Sequence, residues 1–300
     1  MGRGVKESSS PLVSYPALTG RNLRCGRFTL ALTRPLIMGV VNVTPDSFSD
    51  GGRFLESELA VARGNELARQ GADILDIGGE STRPGAQPVP EAQELARVLP
   101  VLEGLRGLDL PLSVDTYKPA VMRAALAAGA SMINDINALQ SEAALDAIAA
   151  SDCGICLMHK QGDPLSMQQN PHYADVVSEV RAFLARRVAA CETAGISRSR
   201  IVVDPGFGFG KSAAHNLELL RNLGALAGLG VPVLVGLSRK STLGRITNQP
   251  VEQRTIASVT SALLAVQRGA AIVRVHDVAQ THDALRILDA VEEAGFGFDD

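Results

Sequence analysis

Residues 36–52 read LIMGVVNVTPDSFSDGG, a short apolar and β-branched run that ends in a polar, glycine-rich cluster. Such a run predicts a buried β-strand, and the cluster after it predicts a loop. The pattern occurs eight times along the chain, and a longer stretch with helical spacing of apolar residues follows each run. The eight runs end at Asn42, Gly79, Asp115, Asp135, His159, Asp204, Ser238 and His276.

The alternation of strands and helices predicts an α/β protein with a parallel sheet covered by helices. Eight units in about 250 residues favour a closed (β/α)8 TIM barrel, with an open doubly wound sheet as the second candidate. Residues 23–32, LRCGRFTLAL, predict a hairpin that closes the barrel floor. We therefore expect an N-terminal extension over residues 1–34 and one barrel domain over residues 35–300.

The composition narrows the classes of function. The 300 residues are 46% hydrophobic and carry a net charge of -3, without the basic, aromatic-rich character of a nucleic-acid-binding protein. The longest uncharged stretch, residues 223–237, is too short to cross a bilayer, and no secretory signal opens the chain. Four cysteines are few for this length and fit a reducing compartment. We expect a cytoplasmic protein with neither nucleic acid nor membrane as a partner.

Polar residues gather where the predicted strands end, and in a parallel barrel these ends converge on one rim. Asp115, Asn134, Asp204 and Lys240 emerge from apolar strands, where burial leaves each in need of a partner. A carboxylate can accept two N–H groups, an amide can donate and accept, and an ammonium can meet a carbonyl or a ring nitrogen. Together these groups suit a flat heterocycle.

A second set of polar residues suits an anion. Arg83, Arg274 and His276 are accompanied by glycine-rich turns whose backbone N–H groups could form an anion nest. Each residue also has a simpler interpretation: Asp115 alone could cap the next helix, and His276 alone could be a packed or surface histidine. Arg274 and His276 are two residues apart and so share one face of a strand. The combination favours a phosphate or diphosphate site.

Two further motifs do not match the nucleotide-binding and redox sites that they resemble. The glycines of GFGFGKS, residues 206–212, have the wrong register for a dinucleotide fold, and Pro205 replaces the first glycine of a P-loop. Cys153 and Cys156 form a C-x-x-C, but they fall in a predicted strand that puts them on opposite faces, which favours core packing.

The segments VNVTPDSFSDGG, DIGGESTRPG, DPGFGFGK, GLSRKS and RVHDV follow one another in this order. With them the chain, from about residue 36 onward, resembles the dihydropteroate synthase family of pterin-binding barrels. These transferases of folate biosynthesis join 6-hydroxymethyl-7,8-dihydropterin diphosphate to p-aminobenzoate and release pyrophosphate. The resemblance implies a (β/α)8 barrel, Mg²⁺ as cofactor, the two small-molecule substrates and a homodimer. With only about 35 residues ahead of the barrel and none to spare after its last helix, we expect no second enzyme of the folate pathway to be attached to this chain.

The resemblance also implies roles for individual residues. The pterin ring would be held by Asp115, Asn134, Asp204 and Lys240. The diphosphate would be held by Asn42, Arg83, Arg274 and His276, with Asn42 also contacting Mg²⁺. The aminobenzoate would lie against Thr82, Pro84, Phe209 and Ser241. The mobile loops of the family would include Thr44, Asp46, Phe48 and Ser49. The residues expected to act in the reaction are Asp115, Asp204, Lys240, Arg274 and His276.

In the mechanism that the family implies, the bond to diphosphate breaks first and the aromatic amine then attacks a pterin-stabilised cation. Two other functions stay open: a folate-dependent corrinoid methyltransferase and a non-catalytic pterin-binding paralogue. Neither needs the full anion site, so that site favours the synthase. One departure is Lys160, which follows His159 where the family commonly has Met, and we expect it to point to solvent.

Overall fold

Strands and helices alternate along the part of the chain that the computed structural model describes, which is residues 22–43, 53–81, 87–163 and 167–292. For residues 53–55 it describes the backbone alone. The strands are β1 (Asn22–Cys25), β2 (Phe28–Ala31), β3 (Leu36–Asn42), β4 (Ile74–Gly78), β5 (Leu112–Asp115), β6 (Met132–Asp135), β7 (Gly154–Met158), β8 (Ile201–Asp204), β9 (Leu234–Val235) and β10 (Ile272–Val275). The helices are α1 (Arg53–Arg69), α2 (Glu91–Leu105), α3 (Pro119–Ala127), α4 (Glu142–Ala149), α5 (Val176–Thr193), α6 (Ala213–Arg221), α7 (Gly224–Ala227), α8 (Ser241–Thr247), α9 (Thr255–Val266) and α10 (Val278–Glu292).

Strands β3 to β10 form a (β/α)8 TIM barrel. All hydrogen-bonded neighbours among them are parallel, in the order β8-β7-β6-β5-β4-β3-β10-β9. A parallel bridge between Val203 of β8 and Val233, just before β9, joins the two edges of this sheet. The predicted closed barrel is therefore confirmed, and the open doubly wound sheet is excluded.

Several helices begin at residues with a clear capping role. Asp175 accepts hydrogen bonds from the backbone N–H groups of Val177 and Ser178 at the start of α5, and Ser212 accepts from His215 at the start of α6. These bonds satisfy donors that a helix leaves unpaired in its first turn. Among the helices described, none has both the length and the apolar character that crossing a membrane requires.

The two faces of the barrel strands have different surroundings. Outward side chains such as Ile77, Val114 and Val203 are buried beneath the helices in the main hydrophobic core. Inward side chains at the N-terminal ends, such as Ile74 and Ile272, form a second apolar cluster. Because successive residues of a strand alternate between faces, the next inward positions lie two residues further on and nearer the mouth.

The hairpin of β1 and β2 packs against the base of the barrel. Leu23, Cys25 and Leu32 are fully buried in the same cluster as the inward-facing residues of the barrel strands. The Gly26 N–H donates to the carbonyl oxygen of Asp152, 3.1 Å away, just before β7. The hairpin thus covers the N-terminal opening and leaves the C-terminal ends of the strands as the open side.

Gly154 tests how tightly this floor is packed. A Cβ atom at residue 154 would lie 2.7 Å from Cys25 Sγ and 3.2 Å from the carbonyl oxygen of Arg24. We predict that Gly154→Ala lowers the free energy of unfolding by about 1–3 kcal/mol, because an overpacked side chain forces its neighbours to move. Gly107→Ala is the control, since nothing lies within 4 Å of its added Cβ. Equal stabilities in urea unfolding would contradict tight packing of the floor.

Candidate functional site

An ion cluster occupies the mouth of the barrel. Asp76 on β4, Asp115 on β5 and Arg274 on β10 belong to strands that are not all neighbours, but their side chains meet inside the barrel. The Arg274 guanidinium donates from Nε to Asp76 Oδ2 at 2.6 Å and from Nη2 to Asp115 Oδ2 at 3.0 Å. Asn134 on β6 donates from Nδ2 to Asp76 Oδ2 at 3.1 Å. One arginine therefore bridges two buried carboxylates.

Three acceptor oxygens of this cluster have no hydrogen-bond partner among the described residues: Asp76 Oδ1, Asp115 Oδ1 and Asn134 Oδ1. Buried acceptors of this kind are costly unless a donor meets them. All three belong to planar groups in one part of the mouth. The arrangement suits a flat ligand that presents several N–H donors.

Burial changes the protonation behaviour of the site. It raises the pKa of Asp115 to about 7, although the positive charge of Arg274 opposes the shift. It also raises the pKa of Asp204, with Lys240 opposing, and lowers the pKa of Lys240 to about 8, with Asp204 opposing. Burial therefore disfavours the charged forms of Asp115, Asp204 and Lys240. The protonation of these groups thus responds to the charge of a bound ligand.

Lys240, Phe209 and Ser241 form a second side of the mouth. The Lys240 ammonium donates to the carbonyl oxygen of Phe207 and lies 4.4 Å from the ring centroid of Phe209, a distance at which a cation is attracted to an aromatic ring. Ser241 follows as the first residue of α8 and is exposed. The structure therefore brings the predicted Phe209, Lys240 and Ser241 together.

The glycine-rich turn after β8 is organised by Lys211. Its buried ammonium contacts His159 Nδ1 at 2.9 Å and donates to the carbonyl oxygens of Gly206 and Phe209 at 2.9 and 3.0 Å. Gly206 has a φ of +68°, and a Cβ there would lie 1.9 Å from the carbonyl oxygen of His159. The turn can therefore pack against residue 159 only with glycine at position 206.

This turn uses two of its backbone N–H groups internally. The N–H of Gly206 donates to Asp204 Oδ1 at 2.7 Å, and the N–H of Gly208 donates to Asn216 Oδ1 at 2.9 Å. Because the protein itself binds these two groups, they do not contribute to an anion nest. The glycine-rich segments 51–52 and 82–86 lie outside the described residues, so the expected nest beside Arg83 stays a prediction.

His276 and Asn42 lie at the ends of β10 and β3. His276 Nδ1 is 3.0 Å from the Ser238 hydroxyl, and Arg63 of α1 donates to the His276 carbonyl oxygen at 2.8 Å. A Cβ atom built on Gly78 would lie 3.7 Å from Asn42 Oδ1 and 3.8 Å from Asp115 Cβ. Asn42 therefore lies beside the ion cluster.

The structure does not describe every predicted residue. The expected loop and aminobenzoate residues Thr44, Asp46, Phe48, Ser49, Thr82, Arg83 and Pro84 lie outside the described residues. Lys160 is described, and it is half-buried rather than pointing to solvent as expected. Burial lowers its pKa, while the charges of Asp163 and Asp135 oppose that shift.

The sequence analysis missed Asp76, the most buried member of the ion cluster. Its signal was present, because Asp76 is the only charged residue in the apolar run ILDIG. A carboxylate inside a strand needs a partner, but the partners Asn134 and Arg274 are 58 and 198 residues away in the chain. No local pattern identifies them.

The comparisons with known proteins agree on one family. A family profile described as "Pterin binding enzyme" matches residues 38–276. The chain is 49% identical over 266 residues to the dihydropteroate synthase of Haemophilus influenzae, covering 88% of this chain and 97% of the relative. It is 50% identical over 275 residues to that of Neisseria meningitidis serogroup B, covering 89% and 96%.

Solved structures show the same similarity. Xanthomonas albilineans dihydropteroate synthase with 4-aminobenzoic acid superimposes with a TM-score of 0.87 and 55% identity, over 92% of this chain and 100% of that chain. The enzyme from the same organism in complex with 7,8-dihydropteroate has a TM-score of 0.82 and 50% identity over the same shares.

The ion cluster predicts unequal costs for breaking ion pairs. Asp76→Ala leaves Arg274 without its closest carboxylate in a buried setting, so we expect a loss of about 3–5 kcal/mol in the free energy of unfolding. Glu192→Ala removes an exposed pair with Arg198 and should cost no more than about 1 kcal/mol. Urea unfolding measures both. Similar small losses would show that Asp76 is not a structural partner of Arg274.

Proposed function

The chain belongs to the pterin-binding enzymes and, within them, to the dihydropteroate synthases, and from this premise we propose how its residues serve the reaction. The enzyme is a transferase that condenses 6-hydroxymethyl-7,8-dihydropterin diphosphate with p-aminobenzoate and releases pyrophosphate. The chemistry needs three things from the protein: a pocket for the ring, cations for the leaving group and a place for the amine.

The pterin ring binds in the proposed pocket lined by the ion cluster. Its amino and ring N–H groups would donate to Asp115 and Asn134, and Asp76 would hold Arg274 and Asn134 in place. Asp204 and Lys240 complete the pocket from the opposite side. The observation that carries this proposal is the set of three unpartnered acceptor oxygens on Asp76, Asp115 and Asn134, which match a donor-rich planar ligand.

The diphosphate would lie against Arg274, His276 and Arg83. Cations placed there stabilise the negative charge that develops as the carbon–oxygen bond breaks. Arg274 serves both halves of the site, because its guanidinium contacts the ring-side carboxylates and its strand places it two residues from His276. The buried carboxylates Asp115 and Asp204 would offset positive charge that spreads into the pterin.

We propose that Mg²⁺ binds here together with the diphosphate of the substrate. Among the described residues there is no group of three or more His, Cys, Asp or Glu side chains that could hold a metal ion. Mg²⁺ often takes one protein oxygen and completes its shell with phosphates and water, and Asn42 Oδ1 offers such an oxygen beside the cluster. When bound there, Mg²⁺ would neutralise charge on the leaving diphosphate.

The aminobenzoate would enter last, at the outer part of the mouth. Phe209 offers an aromatic face beneath the Lys240 ammonium, and the exposed Ser241 is adjacent; Thr82 and Pro84 are proposed to complete the pocket. The loop with Thr44, Asp46, Phe48 and Ser49 is proposed to close over the reaction, so that the amine rather than water captures the cation. The relative solved with 4-aminobenzoic acid supports the proposal of an aminobenzoate pocket.

Since the Yersinia pestis relative is solved with a sulfonamide drug, we propose that sulfonamides bind in the same pocket here.

A homodimer through α8, α9 and α10 is proposed as the assembly. Four isoleucine and valine side chains on these neighbouring helices are strongly exposed: Ile246 at 57%, Ile256 at 82%, Ile287 at 68% and Val291 at 76%. Large apolar side chains exposed on neighbouring helices are typical of interaction surfaces. We also propose a cytoplasmic location, which the four free and buried cysteines support.

The activity is tested by pyrophosphate release on mixing the pterin diphosphate, p-aminobenzoate and Mg²⁺. We expect turnover by the wild-type protein and a loss of about 100-fold or more in kcat/KM for Arg274→Ala, because a buried cation is removed from the leaving group. Arg198→Ala, at an exposed ion pair, is the control and should retain activity. Pterin binding without pyrophosphate release would favour the non-catalytic paralogue.

The dimer surface is tested by sedimentation. Ile256→Glu and Ile287→Glu should shift the protein toward the monomer, because a charge would be buried without a partner in the interface. Leu217→Glu on α6, where Leu217 is 43% exposed, is the matched control and should leave the assembly unchanged. Unchanged sedimentation of all three variants would refute this surface.

A further inference from the structure

An ion pair just outside the ligand pocket joins the two turns that carry Lys240 and His276. Arg239 donates from Nη2 to Asp277 Oδ1 at 2.6 Å and from Nε to Asp277 Oδ2 at 3.2 Å. This bidentate geometry fixes both side chains relative to each other. Arg239 directly precedes Lys240, and Asp277 directly follows His276. The pair therefore connects the ring side of the site to its anion side.

The backbone at Arg239 is held in an unfavourable conformation. Its φ is +59°, in the left-handed region that side chains with a Cβ seldom adopt. Two hydrogen bonds hold it there: the Arg239 N–H donates to Ser258 Oγ at 2.9 Å, and Arg254 donates from Nη1 to the Arg239 carbonyl oxygen at 3.0 Å. Such strain persists where the surroundings impose it, and it often occurs at functional sites.

The turn at Arg239 determines the direction in which the Lys240 side chain points. The left-handed residue reverses the chain between Ser238 and Lys240, so that the two side chains serve different parts of the mouth. The Lys240 ammonium lies over Phe209, whereas the Ser238 hydroxyl contacts His276 Nδ1 at 3.0 Å. Residues 238–240 and 276–277 are thus linked twice, by Ser238 with His276 and by Arg239 with Asp277.

We propose that Arg239 and Asp277 are positioning residues that hold Lys240 and His276 at the spacing a pterin diphosphate requires. The inference rests on the proposed function, in which Lys240 contacts the ring and His276 the diphosphate. Neither Arg239 nor Asp277 contacts substrate in it. A role in general stability explains the pair less well, because the Arg239 side chain is 35% exposed, so solvent weakens its attraction to Asp277, which is 11% exposed.

The sharpest test compares a joined ligand with its two halves. A change in spacing leaves each half free to settle in its own subsite, but the joined ligand cannot satisfy both. For Arg239→Met and Asp277→Asn, we expect the affinities for 6-hydroxymethylpterin and for pyrophosphate to stay within about threefold of wild type. We expect the affinity for the pterin diphosphate, measured with Mg²⁺ and without p-aminobenzoate, to fall at least about tenfold.

Further variants separate positioning from folding. The double variant Arg239→Met/Asp277→Asn should bind the joined ligand no more weakly than either single variant, because both remove one interaction. Arg239→Lys keeps the charge but not the two-pronged geometry and should recover only part of the affinity. Arg34→Met removes a similarly bidentate pair with Asp73 at the opposite end of the barrel and should not change the affinity for any of the three ligands.

Two results would overturn the inference: a loss that is as large for the half ligands as for the joined ligand, or no loss for any of them. Lys240→Met shows which hypothesis has failed. If Lys240→Met weakens 6-hydroxymethylpterin binding, the ring pocket stands and only the positioning role of Arg239 and Asp277 is wrong. If Lys240→Met leaves that binding unchanged, the proposed pocket is wrong and the inference falls with it.

Discussion

The site depends on one guanidinium held between two buried carboxylates. Asp76 and Asp115 point into the same narrow space, and without a cation between them their charges would repel in surroundings that already disfavour ionised groups. Arg274 meets both at 2.6 and 3.0 Å and so allows two acids to lie side by side. It uses only one oxygen of each carboxylate, so Asp76 Oδ1 and Asp115 Oδ1 remain to accept from a ligand. The ion pairs with Arg274 thus stabilise the two buried carboxylates and also leave one oxygen of each to accept a hydrogen bond from a ligand.

The barrel provides this cluster through a simple geometric rule. Along an inward strand face, Ile74 is followed two residues later by Asp76, Met132 by Asn134, Val202 by Asp204 and Ile272 by Arg274. The lower residue of each pair belongs to the same apolar cluster as the floor hairpin, and the upper residue faces the mouth. One layer of apolar side chains thus separates a sealed base from a polar pocket. The rigidity of the base keeps the strand ends in register, which a multi-point binding site requires.

Residues outside the pocket have as large a part in its geometry as the residues that line it. Lys211 donates to two carbonyl oxygens inside the glycine-rich turn and contacts His159 outside it, and so fixes the backbone that carries Phe209 and receives Lys240. Arg63 holds the carbonyl of His276, and Ser238 orients its ring. The contacts of Lys211 with His159, of Arg63 with His276 and of Ser238 with His276 join segments that are distant in sequence. Together they explain how the turns that complete the pocket are held in a defined shape.

The sequence by itself determined the alternation of strands and helices, the eight strand ends and the family, because these follow from local periodicity and from motifs a few residues long. It also identified Asp115, Asn134, Asp204, Lys240 and Arg274 as polar residues at strand ends. Only the tertiary structure decided that Arg274 bridges Asp76 and Asp115, that Lys211 contacts His159, and that Arg239 pairs with Asp277. The reason is physical: a buried charge is tolerated only through its partner, and closure of the barrel brings together partners that are 38 to 198 residues apart in the chain.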